Sequence, residues 1–155
     1  MEHVLERIAA TETWRSAGGL TVFGTYEDYP AGARVYELCR SLSAFLGPKC
    51  AVRRTAWPFS EFRGPALRAA AARETLLADL VVISTRRGEG LPVELQEWLD
   101  LWLTAKPRRP SVMGAIFERG FRQTNNPVRA YLQERIVATD LEFFVLPEAE
   151  PAWIP

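Results

Sequence analysis

Leu80-Val81-Val82-Ile83, held between Asp79 and Ser84, is an uninterrupted apolar run. A strand with one wet face alternates apolar and polar residues. An unbroken run instead marks a strand covered on both faces, as in a doubly wound parallel sheet. Toward the N-terminus, this strand is preceded by an Ala-rich helix from about Pro65 to Ala78 and an irregular stretch after Trp57-Pro58. A second strand runs from Cys50 to Trp57 and carries Arg53 and Arg54; two adjacent charges suit an edge strand. Before it, Val35, Leu38, Cys39, Leu42, Phe45 and Leu46 form the stripe of a helix from about Ala31 to Leu46. Gly47-Pro48 ends that helix, because Gly accepts the left-handed cap and Pro cannot continue it. Leu20 to Gly24 reads as the first strand, followed by a polar turn through Pro30. Residues 2–16 read as a short amphipathic helix closed by Gly18-Gly19.

On the C-terminal side, the loop Ser84 to Gly90 leads to Leu91-Pro92, with Pro92 placed in a first helical turn. Leu91, Leu95, Trp98, Leu99 and Trp102 share one face of that helix, which makes the two tryptophans core residues or a dimer face. Val112 to Phe117 is a fourth strand. Asn125-Asn126-Pro127 opens a helix with a capping Asn and Pro at its first position. Its stripe is Val128, Tyr131, Leu132, Arg135 and Ile136, with Arg135 lending its stem. Leu141 to Leu146 is the fifth strand, and residues 147–155 form an extended tail packed on the surface. Strands alternating with helices predict a mainly parallel sheet with right-handed crossovers and helices on both faces, in a single three-layer α/β domain spanning 1–155.

Composition narrows the function classes. The 155 residues are 48% hydrophobic, which suits a full globular core. Nineteen Lys and Arg balance nineteen Asp and Glu, which argues against a nucleic-acid partner bound through a broad basic field. Cys39 and Cys50 make no disulfide framework and read as small core hydrophobes in a reducing compartment. No basic-then-apolar leader opens the chain, and the apolar runs are too short to span a bilayer. A cytoplasmic location without membrane contact is the expectation. The sole histidine, His3, removes His-based zinc sites, Ser-His-Asp triads and Cys-His pairs. There is no Cys-x-x-Cys and neither glycine-rich phosphate fingerprint.

Asp79-Leu-Val-Val-Ile-Ser84, Gly88-Glu-Gly90, Leu91-Pro92 and Val112-Met-Gly-Ala-Ile-Phe117 resemble the middle of flavodoxin-like proteins. That resemblance implies the strand order 2-1-3-4-5, with a ligand crevice between the tips of strands one and three. The loops there are Thr25 to Gly32 and Ser84 to Gly90. A flavin phosphate loop should follow strand one as a Ser/Thr/Gly-rich turn. This chain has Tyr26, Glu27, Asp28 and Tyr29, whose two carboxylates repel phosphate and disfavour FMN. The acidic pair is also similar to the Mg²⁺-holding residues of receiver domains. Ser84 and Thr85 stand where the phosphoacceptor Asp belongs, and Pro147 where a Lys belongs, which implies a receiver-like fold without phosphotransfer. Tyr26-Glu-Asp-Tyr-Pro-Ala-Gly-Ala-Arg34, Trp57-Pro-Phe-Ser-Glu-Phe-Arg63 and Leu91-Pro-Val-Glu-Leu-Gln-Glu-Trp-Leu99 resemble a group of short bacterial α/β proteins to which no activity is attached.

Each candidate has two readings. Glu27 and Asp28 either bind a metal or ligand hydroxyls, or complement the positive end of the helix opening near Pro30. Arg86 and Arg87 either grip an anion or pair with Glu27 and Asp28 across the crevice. Tyr26, Ser84, Thr85 and Glu89 support the ligand reading. Trp57 either stacks on a flat ligand or packs. Glu118 and Arg119, like Arg108-Arg109, read as solvated turns. Two functions follow: a non-catalytic regulatory or protein-interaction domain, with a homodimer among its partners, or a small-molecule binder or enzyme working in the crevice on an anionic ligand such as a nucleotide or flavin.

Overall fold

The computed structural model describes residues 19–105, 112–118 and 126–146. The expectations for the N-terminal helix, the C-terminal tail, Arg108-Arg109, Arg119 and Asn125 lie outside these residues. Five strands, β1 (Gly19–Tyr26), β2 (Ala51–Pro58), β3 (Leu80–Ser84), β4 (Val112–Ile116) and β5 (Glu142–Val145), alternate with four helices among the described residues. These are α1 (Tyr29–Leu46), α2 (Pro65–Thr75), α3 (Val93–Thr104) and α4 (Pro127–Val137). The sheet has the order β2-β1-β3-β4-β5, and every pairing is parallel. The architecture is the three-layer, flavodoxin-like α/β fold that the alternation and the resemblance predict.

Chain direction divides the layers. From β1 the chain moves outward to β2, then returns past β1 to β3, β4 and β5. Right-handed crossovers therefore set α1 on one face and α2, α3 and α4 on the other. The core splits the same way. Leu20, Val22, Leu80, Val82, Val112 and Ile116 pack with Val35, Leu38, Cys39 and Leu42 of α1. Phe23, Val81, Ile83, Met113 and Ala115 pack with side chains of the other three helices. All five residues of β3 are buried, so both faces of the central strand are dry and its sequence shows no alternation. Among the described residues β2 pairs with β1 alone, and Arg53 and Arg54 are exposed on it, which is the edge position their charges predict.

The side under α2 and α3 is an aromatic stack. Trp98 and Trp102 are fully buried and lie 6.1 Å apart, stacked at 17°. Trp98 also meets Phe23 at 5.7 Å and Phe62 at 5.5 Å. These centroid spacings are within the range of favourable ring pairs, each contributing about 0.5–1.5 kcal/mol beyond area burial. The Trp98 indole N–H donates to Thr75 Oγ1 at 3.1 Å, and Thr75 in turn donates to the Ala71 carbonyl at 2.7 Å.

Four local expectations are corrected. Phe45 is 43% exposed; it lies at the edge of the arc that α1 turns to the sheet. Pro92 is the cap residue before α3, not part of its first turn. Cys50 precedes β2 and is half-buried. The stretch after Trp57-Pro58 is a 3-10 helix, Phe59–Arg63, that buries Phe59 and Phe62.

Candidate functional site

β1 hands the chain toward β2 through α1, whereas β3 hands it the other way, toward β4 through α3 on the opposite face. The loops after β1 and β3 therefore diverge and leave a crevice at their carboxyl ends. Tyr26 and Ser84 are the last register pair of β1 and β3. One residue further, the Glu27 N–H donates to the Ser84 carbonyl at 3.0 Å. The two loops nominated from the sequence meet at this rim.

Asp28 has two tasks there. Its Oδ1 accepts from the Ala31 N–H at 3.0 Å and caps α1, the complement to the helix terminus that its position predicts. Its Oδ2 lies 3.5 Å from Arg86 Nε across the crevice. Arg86 also reaches Glu118 Oε1 at 4.0 Å, just past β4. The backbone follows the same path: the Arg86 N–H donates to Glu27 Oε2 at 3.3 Å, and its carbonyl accepts from the Glu118 N–H at 2.7 Å. Both side chains of the Arg86–Asp28 pair are partly exposed, so each ion pair contributes about 0–1 kcal/mol. Among the described residues Arg87 forms no ion pair with Glu27 or Asp28; it lies 3.9 Å from Glu89 in its own loop. Between these groups remains a hollow of about 260 Å³ lined by Glu27, Arg86, Arg87 and Glu89.

Ser84 is fully buried, and its Oγ donates to the Ala31 carbonyl at 2.9 Å, tying β3 to the start of α1. The Thr85 N–H donates to the Ile116 carbonyl at 3.0 Å. Its hydroxyl, like that of Thr25, is buried with no protein hydrogen-bond partner. Thr25 pairs with Ile83 in the sheet, and Thr85 continues the alternation from Ile83, so both belong to the face covered by α2, α3 and α4. The loop is fixed at its far end by Gly88. With φ at +72° it occupies a region that L side chains rarely adopt. Its carbonyl accepts from the Val128 N–H at 3.1 Å. A Cβ there would lie 2.4 Å from Asn126 Oδ1, the same atom that caps α4 by accepting from the Arg129 N–H.

Trp57 is placed elsewhere. It is half-buried and packs on Phe23 at 6.4 Å and Phe62 at 5.9 Å. Tyr26 turns away from the crevice toward α1, where its ring lies against Gly32. There it joins a second hollow of about 390 Å³ between α1 and β2, whose lining includes Tyr29, Tyr36, Arg40, Arg54 and Ala56. This outward stripe of α1 is distinct from the buried one that faces the sheet. Its signal was the spacing Tyr29, Tyr36, Arg40, one helical face at i, i+7 and i+11. Glu118, expected in a solvated turn, instead lies just past β4 at the same rim and meets Arg86 there. Among the described residues no group of three or more His, Cys, Asp or Glu converges to hold a metal, and no helix is long and apolar enough to cross a membrane. The chain matches no protein-family model, and no curated protein matches it in sequence.

Proposed function

We propose that this chain is a non-catalytic regulatory or protein-interaction domain, related in type to short bacterial flavodoxin-like and receiver-like proteins. One observation carries this reading: the charge of Arg86 is spent inside the rim. It pairs with Asp28 and Glu118, while its backbone engages Glu27. A catalytic or phosphate-binding rim keeps its cations and carboxylates directed at a substrate. Here they hold the loops after β1, β3 and β4 to one another, and Asp28 is also engaged as a helix cap.

A thermal-shift screen tests the reading. FMN, nucleoside triphosphates and MgCl₂ are each added to the purified chain. A ligand at 100 times its dissociation constant adds about 2.7 kcal/mol, or roughly 5–10 °C in a chain of this size. No such shift is expected. A shift that disappears in Arg86→Ala would sink the proposal. It would favour the second reading, a small anionic ligand in the crevice.

A further inference from the structure

We infer that the open edge of β2 is the docking site for an extended acidic segment of a partner protein, which adds a strand to the sheet. This rests on the reading of the chain as an interaction domain and names the surface and the chemistry of the partner. Among the described residues β2 has a hydrogen-bonded neighbour on one side, β1. Residues 53–56 are exposed along it, so its outer backbone groups are open to a further strand.

The side chains beside this edge carry the charge argument. Strand alternation sends Arg54 to the α1 face and Arg53 to the opposite face. The Arg54 guanidinium lies 4.4 Å from the centre of the Tyr36 ring, which holds it at the mouth of the hollow between α1 and β2. Arg40 reaches the same hollow from the next turn of α1. Among the described residues, none of Arg40, Arg53 and Arg54 has an ion-pair partner. One carboxylate, Glu37, lines the hollow against two guanidiniums. Tyr29 is 87% exposed and Tyr36 is 49% exposed at its border. Tyr and Arg are the residues that concentrate binding energy at protein interfaces.

The occupant is an acidic strand rather than a second copy. Two copies joined antiparallel along β2 with the twofold axis at residues 53–55, the centre of the exposed stretch, would set Arg54 opposite or diagonal to its own symmetry mate, where like charges repel. A strand with acidic residues on both faces meets the reverse situation. Its carboxylates lie within a cross-strand spacing of Arg53 on one face and Arg54 on the other, and a guanidinium binds a carboxylate through two parallel hydrogen bonds.

The test is fluorescence anisotropy of the full chain with a labelled Thr-Glu-Glu-Val-Glu-Glu-Val-Thr peptide. Two controls accompany it: the same peptide with Lys for Glu, and one with Pro for both Val, whose opposite strand parity ensures that one Pro removes an N–H facing β2. The acidic peptide is expected to bind at least tenfold more tightly than either. Arg54→Glu and Arg40→Glu should each weaken it about tenfold. The double variant Arg53→Glu/Arg54→Glu should instead prefer the Lys peptide, a gain that misfolding could not produce. Equal binding of the Glu and Lys peptides, undiminished binding of the Pro peptide, or no binding below about 1 mM would each overturn the inference. So would a dimer of the parent chain in sedimentation that forms through β2. A dimer formed elsewhere, with no acidic-peptide binding, overturns the inference while the interaction reading stands; failure of that reading has its own signature in the ligand-induced thermal shift.

Discussion

Replacing Gly88 by Ala should be among the most damaging single-methyl changes at the rim. At φ +72° an L residue loses about 1–2 kcal/mol to the clash of its Cβ with the following carbonyl. The added methyl would also stand 2.4–2.7 Å from the side chain of Asn126, which must move. That side chain caps α4 through the Arg129 N–H at 2.8 Å, and losing such a cap costs about 1 kcal/mol. The sum is roughly 2–3 kcal/mol, or about 4–12 °C in melting temperature for a chain of this length. Thermal denaturation, with urea titration as a second probe, reads the effect. A double-mutant cycle then separates the two causes. With Asn126→Ala already present, Gly88→Ala has nothing to strike, so the double variant should be more stable than additivity predicts by about 1 kcal/mol. A Gly88→Ala variant melting within 2 °C of the parent, or strict additivity in the cycle, would refute the reasoning.

Thr75→Val leaves the buried Trp98 indole without the acceptor it now has at 3.1 Å and should lower the urea midpoint by an amount equal to about 1–3 kcal/mol; Thr75→Ser should restore most of it. The thiol of Cys39 is pushed up to about 11 by burial, with the Arg54 guanidinium opposing. The folded state therefore keeps this proton after the unfolded chain has released it. Stability is undiminished by this group below about pH 9 and falls as pH rises toward 11, by on the order of 2 kcal/mol. The difference between the parent and Cys39→Ala in chemical denaturation across pH 8–11 measures it, and parallel curves would count against it.

How much could be read in advance follows from the physics of each segment. β3 was legible because burial on two faces erases alternation, and Leu80 to Ser84 shows that directly. The edge strand was legible because Arg53 and Arg54 could not both be accommodated inside a sheet. The buried stripe of α1 was legible through Leu42, but Phe45, at the limit of the arc, turns outward. The 3-10 helix of Phe59–Arg63 was not legible. Five residues are too few for a period, and Phe59 and Phe62 are buried by what lies above them rather than by any local pattern. At the rim, loop adjacency followed from strand order. The choice of Arg86 over Arg87 as the crossing cation did not, since it depends on the approach of the loop past β4, where Glu118 completes the set. The groove between α1 and β2 is formed by residues far apart in sequence on two elements, and no window along the chain contains it.

The position of Trp57 has a consequence for motion. A peripheral strand bonded to one neighbour ordinarily frays, and its amides exchange with solvent through small, frequent openings. Here the carboxyl end of β2 is pinned by an indole wedged against Phe23 and Phe62, both of which touch Trp98. Peeling the strand away means extracting that ring from the interior. Amides bonded between β1 and β2 should therefore exchange in step with those of the deep core. The outermost strand is thus a stiff template rather than a loose flap, and stiffness of this kind reduces the ordering entropy that any strand added to it must overcome.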